Sequence, residues 1–235
     1  MLNLFQDLRQ NPYPGRGIVL GKSACGTFAV LAYFIMGRSE GSRNRVFVPD
    51  GTGLRTRAFD ESKLPNPSLY VYAPVRVFDA CTIVTNGDQT DTIYDHFASG
   101  KSFEEALQTR TFEPDPPSLT PRISGLCVFT GGDMHIKLSI LKSLNCGAGV
   151  TRQFFLYDGV APGEGWFIHT YKGDGNPLPS YEGEPKHVAL DGGIGEFTDA
   201  LWHALDPDNR VSLFVRYQHL TSGTFEDKVI NKHLI

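Results

Sequence analysis

The side chains best suited to chemistry lie in a few short stretches of the chain. "GRSEGSRNR" places Arg38, Arg43 and Arg45 between two strand-like runs, with Gly and Ser leaving backbone amides accessible. Guanidinium forks match phosphate oxygens in pairs, so this loop suits a phosphate; a solvated basic loop is the plain alternative. "VTNGDQTDTIYDHFASGK" (84–101) collects Asn86, Asp88, Thr90 and Asp91 where an apolar strand gives way to a helical pattern. A helix starting near Asp91 needs one of these residues as its N-cap, and the carboxylates favour the positive end of its dipole. Capping does not account for Asn86-Gly87 and Thr92 as well, so ligand contact stays open. "FEPDPPSLTPRI" presents Glu113 and Asp115 in a proline-stiffened loop, with Arg122 behind them. A stiff loop carrying carboxylates can hold an acid/base group or simply face water. In "NPSLYVYAPVR", Tyr70 and Tyr72 share one face of a strand, either at the rim of a core or in a pocket.

The elements that must position these groups can be read from periodicity. Residues 2–9 form a short amphipathic helix, ended by "NPYPG". Strands are expected at 16–22, 27–35, through "VFV", through "SLYVYAPVRVF" and "ACTIVTN", and at 122–130, 134–142, 151–157 and 165–171. A last strand is "RVSLFVRYQ". Helices are expected over Thr90–Ser99, over "SFEEALQTR" with a Ser102/Glu105 capping box, and near 194–204. Residues 50–67 and 172–185 read as loops, and 224–235 fits no single pattern. Consecutive, short-linked strands imply mainly antiparallel sheets, and helices arriving in blocks imply α+β.

The 235-residue chain suits one large domain. A net charge of −4 gives no general drive toward nucleic acid or an acidic membrane surface. No apolar run approaches the ~20 residues of a membrane helix, and the start, "MLNLFQDLRQNPYPGRG", lacks a secretory pattern. A cytoplasmic location is therefore expected. The four cysteines have no zinc or redox spacing; Cys81 and Cys127, in apolar runs, read as buried free thiols. The seven histidines are scattered, and no metal or cofactor is expected.

In this order, "GRGIVLGKSACGTFAVLAYFIMGRSEGSRNRVFV", "NPSLYVYAPVRVFDACTIVTNGDQTDTI" and "FEPDPPSLTPRISG" resemble the archaeal-type inosine monophosphate (IMP) cyclohydrolase family. "IHTYKGDGNPLPSYEGEP" matches less closely. The resemblance implies a single domain over 1–235 with a 1–14 extension. Its fold would be a four-layer α-β-β-α sandwich of two mainly antiparallel sheets, similar to N-terminal nucleophile hydrolases but without their nucleophile. It implies ring closure of a formylated ribotide to IMP, a small nucleotide as partner, and no cofactor, with a homo-oligomer among the possible states. It places Arg38, Arg43 or Arg45 on the phosphate and Asn86, Thr90 and Asp91 on the nucleotide. Glu113, with Tyr72 and Arg122, would serve the proton transfers. A non-catalytic nucleotide-binding module and an amidohydrolase of the same fold type are the rival readings. The family pattern is departed from in the N-terminal extension, the longer late loop and Glu40 among the cations.

Overall fold

Alternation of buried side chains assigns each strand two faces, and the two faces belong to different cores. The structure, a computed structural model, describes residues 1–63 and 71–234. One sheet contains β1 (Arg16–Lys22), β2 (Phe28–Met36), β10 (Glu164–His169), β11 (Lys186–Ala189), β12 (Arg210–His219) and β13 (Phe225–Asn231). Its order is β11-β10-β1-β2-β12-β13. The other contains β3 (Arg45–Asp50), β4 (Gly53–Ala58), β5 (Val75–Phe78), β6 (Cys81–Thr85), β7 (Arg122–Thr130), β8 (Asp133–Leu144) and β9 (Gly149–Tyr157), in sequence order. Neighbouring strands in both sheets pair antiparallel.

Between the sheets, Ile18, Leu20, Leu31 and Tyr33 meet Val84, Ile123, Cys127 and Ile136. The alternate residues Val19, Val30, Ala32 and Phe34 face the opposite way. They pack under helices α1 (Leu4–Gln10) and α5 (Ile194–Ala204), through Leu4, Leu8, Phe197 and Leu201. On the far face of the other sheet, Ile83, Leu126 and Leu141 pack under α3 (Gln89–Ala98) and α4 (Phe103–Gln108), through Ile93, Phe103 and Leu107. A short helix, α2 (Glu40–Arg43), joins β2 to β3. Full burial on both faces explains why β2 reads "FAVLAYFIM", without polar alternation. Gly125 lets the sheets approach: a Cβ there would lie 2.8 Å from Leu20 Cδ1 and 2.9 Å from Val84 Cγ1.

Several expectations change. Residues 53–58 form a strand, not a loop: Leu54 and Thr56 are buried while Arg55 and Arg57 alternate outward. With one apolar residue on the inner face, the period was invisible. The strand expected through "SLYVYAPVRVF" is β5 only from Val75, and residues 64–70, Tyr70 among them, lie outside the described residues. Lys186–Ala189 forms an edge strand, and the ambiguous tail contains β13. The Ser102/Glu105 capping box is present. Cys127 is buried, and burial pushes its thiol up to about 12, whereas Cys81 is only half-buried. Among the described residues no helix is long and apolar enough to cross a membrane.

Candidate functional site

The strand-to-helix corner after β6 is locked by its own side chains. Asn86 Oδ1 accepts from the Ile123 N–H at 2.8 Å and from Gln89 Nε2 at 3.0 Å, while its Nδ2 donates to the Pro121 carbonyl at 2.9 Å. The Thr85 and Thr90 hydroxyls lie 2.6 Å apart, and both donate to the Gly87 carbonyl. Thr90 is fully buried. These bonds replace what a loop would otherwise seek from water. Gly87 leaves room for the tips of two side chains: a Cβ would sit 2.5 Å from Glu113 Oε1 and 2.6 Å from Arg122 Nη1 and would push them aside.

Those two atoms define the chemistry. Arg122, at the start of β7, is 7% exposed; its Nη1 lies 2.9 Å from Glu113 Oε1. The same nitrogen donates to Asp88 Oδ1 and to Gln89 Oε1, both at 2.6 Å. Glu113 is held by its loop, its N–H donating to the Thr120 carbonyl at 2.8 Å. Burial raises the Glu113 carboxyl above its ordinary value; Arg122 and then Arg16 oppose this, while Asp88 and Asp115 reinforce it. Asp115 accepts from the Thr120 N–H at 2.7 Å and from its hydroxyl, which stiffens the loop. The Thr120 hydroxyl also contacts the phenol of Tyr171.

Glu113 opens into a polar cleft of about 300 Å³, lined also by Tyr13, Arg16, Arg38, Ser39, Ser42 and Tyr171. Asn86, Asp115 and Thr120 complete its near wall. The opposite wall comes from the first residue of β1 and from the turn after β2, both at one end of the sandwich. Arg16 has burial working against its charge, but Tyr171, Tyr13, Tyr72 and Tyr33 outweigh it and favour the cation. Arg38 lies over the Tyr13 ring, 5.0 Å from its centroid, and pairs with Asp174 of the 172–185 loop. Behind Arg16, Tyr33 and Tyr72 join hydroxyls at 2.8 Å, and the fully buried Arg45 lies within electrostatic reach of both phenols.

Of the residues singled out in the sequence, the structure gathers Arg38, Asn86 and Glu113 on the cleft, with Arg122 directly behind Glu113. Tyr72 and Arg45 form a buried layer beneath it, and Thr90 stays inside its corner. Arg43 turns away, its Nε donating to the Gly37 carbonyl at 3.0 Å. Asp91 pairs with Arg76 at 2.8 Å, beside a separate surface. Nor does a carboxylate cap α3. Asp88 stands at the N-cap but makes no side-chain cap bond, because its oxygen receives Arg110 and Arg122 instead. Burial alone would raise Asp88, yet the Arg110 bond and both arginine charges hold it below its ordinary value. Sequence reasoning passed over Arg16 and Tyr13, and noted Tyr171 only as part of a long loop that could bind a ligand. Arg16 opens a strand that is apolar until Lys22, and that position was its signal in the sequence.

Fold and site together define a class: an α+β protein of two packed antiparallel sheets, whose strand ends build an arginine-walled cleft around a buried carboxyl. The chain belongs to the IMP cyclohydrolase-like protein family, whose pattern matches residues 13–223. It is similar to the IMP cyclohydrolase of Methanopyrus kandleri, with 35% identity over 115 residues. That match covers 48% of this chain and 57% of the archaeal protein, so it spans little more than half of that relative's length.

Proposed function

We propose that this chain is an IMP cyclohydrolase, closing the second ring of 5-formamidoimidazole-4-carboxamide ribotide with loss of water. One observation carries the reading within this family: a largely buried carboxyl, Glu113, faces a cleft whose other wall holds Arg16 and Arg38. A single domain acting in the cytoplasm on a small nucleotide fits it, as does the layered resemblance to N-terminal nucleophile hydrolases without their nucleophile.

The carboxamide nitrogen is a poor nucleophile because its lone pair is delocalised. Holding it against the formyl carbon contributes several kcal/mol of the barrier reduction. Arg38 takes the 5′-phosphate, exchanging Asp174 for a dianion, with the Ser39 and Ser42 hydroxyls beside it. Arg43 is excluded from this role by its orientation, and Arg45 by its depth. Arg16 stabilises the oxygen that becomes anionic when the formyl carbon is attacked. Glu113 accepts the carboxamide proton and returns it to that oxygen. On dehydration the second hydrogen of the departing water comes from the former formamide nitrogen, and Glu113 relays it. A carboxyl raised by burial suits such a role, because it can release as well as accept a proton. Arg122 keeps Glu113 aimed, and Tyr72, hydrogen-bonded to Tyr33, braces the floor below Arg16.

A spectrophotometric assay with the formylated ribotide, without metal or nucleoside triphosphate, tests this directly. IMP formation proportional to enzyme is expected. Tight ribotide binding without turnover would overturn the assignment in favour of a binding module.

A further inference from the structure

The geometry points to Asp88 as a positioning residue: it draws the hydrogens of Arg122 away from Glu113 and so leaves that carboxyl free to exchange protons in the cleft. The inference rests on the reading of Glu113 as the proton shuttle. Its basis is a count of donors. A guanidinium Nη1 carries two hydrogens. Around this one stand three acceptors: Asp88 Oδ1 and Gln89 Oε1 at 2.6 Å, and Glu113 Oε1 at 2.9 Å. The two nearer oxygens accept its hydrogen bonds, while Glu113 stands as an ion-pair partner only. A carboxylate that also received an N–H from a buried guanidinium would be held ionised and become a weaker base.

Asp88 is itself held from behind. Arg110 Nη2 donates to the same Oδ1 and its Nη1 reaches the Thr92 hydroxyl at 3.3 Å. The Arg110 carbonyl accepts from Arg152 Nε at 3.1 Å and Nη2 at 2.8 Å. A ladder therefore runs from the edge strand β9 through Arg152, Arg110, Asp88 and Arg122 to Glu113. The charged and titratable groups facing Glu113 are Arg122 from β7, Arg16 from β1, Asp88 from the start of α3, Asp115 from its own loop, and Tyr171 across the cleft. Asp88 acts on Glu113 twice, by its own negative charge and by occupying Arg122, and both effects have the same sign.

The test is a carbon-13 titration of the Glu113 side-chain carboxyl in ligand-free protein, assigned by its absence in Glu113→Gln. Asp88→Ala should lower the Glu113 midpoint by roughly one pH unit, the shift typical of gaining an arginine partner. Asp88→Asn keeps an accepting oxygen and loses the charge, so its shift should be downward and smaller. Arg110→Met should move the midpoint upward, because Asp88 then bears more fully on Arg122 and Glu113. The acid limb of kcat/KM with the formylated ribotide should move in step. Unchanged midpoints, or a downward shift in Arg110→Met, would overturn the role. If Asp88→Ala does not fold, the opposed signs of the other two variants still decide. If the wild type fails to turn over the ribotide, the proposed activity falls, while the titration decides the role of Asp88 independently.

Discussion

Two cavities of this protein differ in a way that separates room from reactivity. The larger, about 640 Å³, lies among Phe28, Ile194, Tyr217 and Phe225, with Cys25 and Glu226 at its edge. Its one carboxylate pairs with Lys228 at 3.2 Å. The smaller, about 300 Å³, is walled by Arg16, Arg38, Glu113 and Asp115. Apolar volume can hold a ligand, but a reaction that moves protons and develops an oxyanion needs convergent charge held in place before the substrate arrives. The small cleft has this because Arg16 opens β1, Arg38 follows β2, and Glu113 and Asp115 sit in a loop pinned by hydrogen bonds to Thr120.

The largest effect should follow removal of the shuttle. Glu113→Gln should lower kcat by roughly 10²-fold or more while product affinity is largely kept, as steady-state rates and calorimetric IMP binding will show. Near-normal turnover would erase the contrast between the cavities. Arg38→Met should weaken IMP binding by roughly tenfold or more, since a charge-assisted bond is removed, with kcat changing less. Unchanged affinity would move the phosphate to Arg16. A third effect concerns stability under the cleft wall. His169 Nδ1 lies 2.8 Å from the Tyr171 carbonyl, and burial lowers this histidine from 6.5 to about 4. The unfolded chain takes up the proton more readily than the native state, so stability is retained above pH 6.5, falls as pH drops toward 4, and loses no more below. The loss should reach roughly 3 kcal/mol over that window, and His169→Gln should flatten it in urea titrations across pH. Smallest of all, Cys25→Ser, at the apolar cavity, should leave turnover within about twofold, as surface changes usually do.

Much of the scaffold was legible in the chain. The runs behind β1, β2 and β7 carry their own β signal, and α5 occupies the 194–204 stretch where a helix is expected. β4 and β11 were not legible, because a short strand with one or two apolar side chains looks like a polar loop until its partners are known. Within the site, "FEPDPPSLTPRI" offered Glu113 and Asp115 on a stiff loop with Arg122 close behind, either for acid/base work or facing water; the fold brings Arg122 Nη1 to 2.9 Å from Glu113 Oε1. Arg16, by contrast, looked like the polar edge of a strand, and Tyr171 like part of a long loop.

Local sequence by itself determined where the longer, apolar-rich strands and most helices form, which loops carry charge, and the family to which the motifs point. Burial periodicity and turn chemistry act over a few residues, so they survive in the chain as written. Only the tertiary structure decided what each charge does. Asp88 and Asp91 stand in one short stretch, yet Asp88 meets Arg110 and Arg122 while Asp91 turns to Arg76 at the surface. The partners of Asp88 come from a loop and a strand remote in sequence, and the strength of an ionic contact depends on distance and burial that only the packed sheets set.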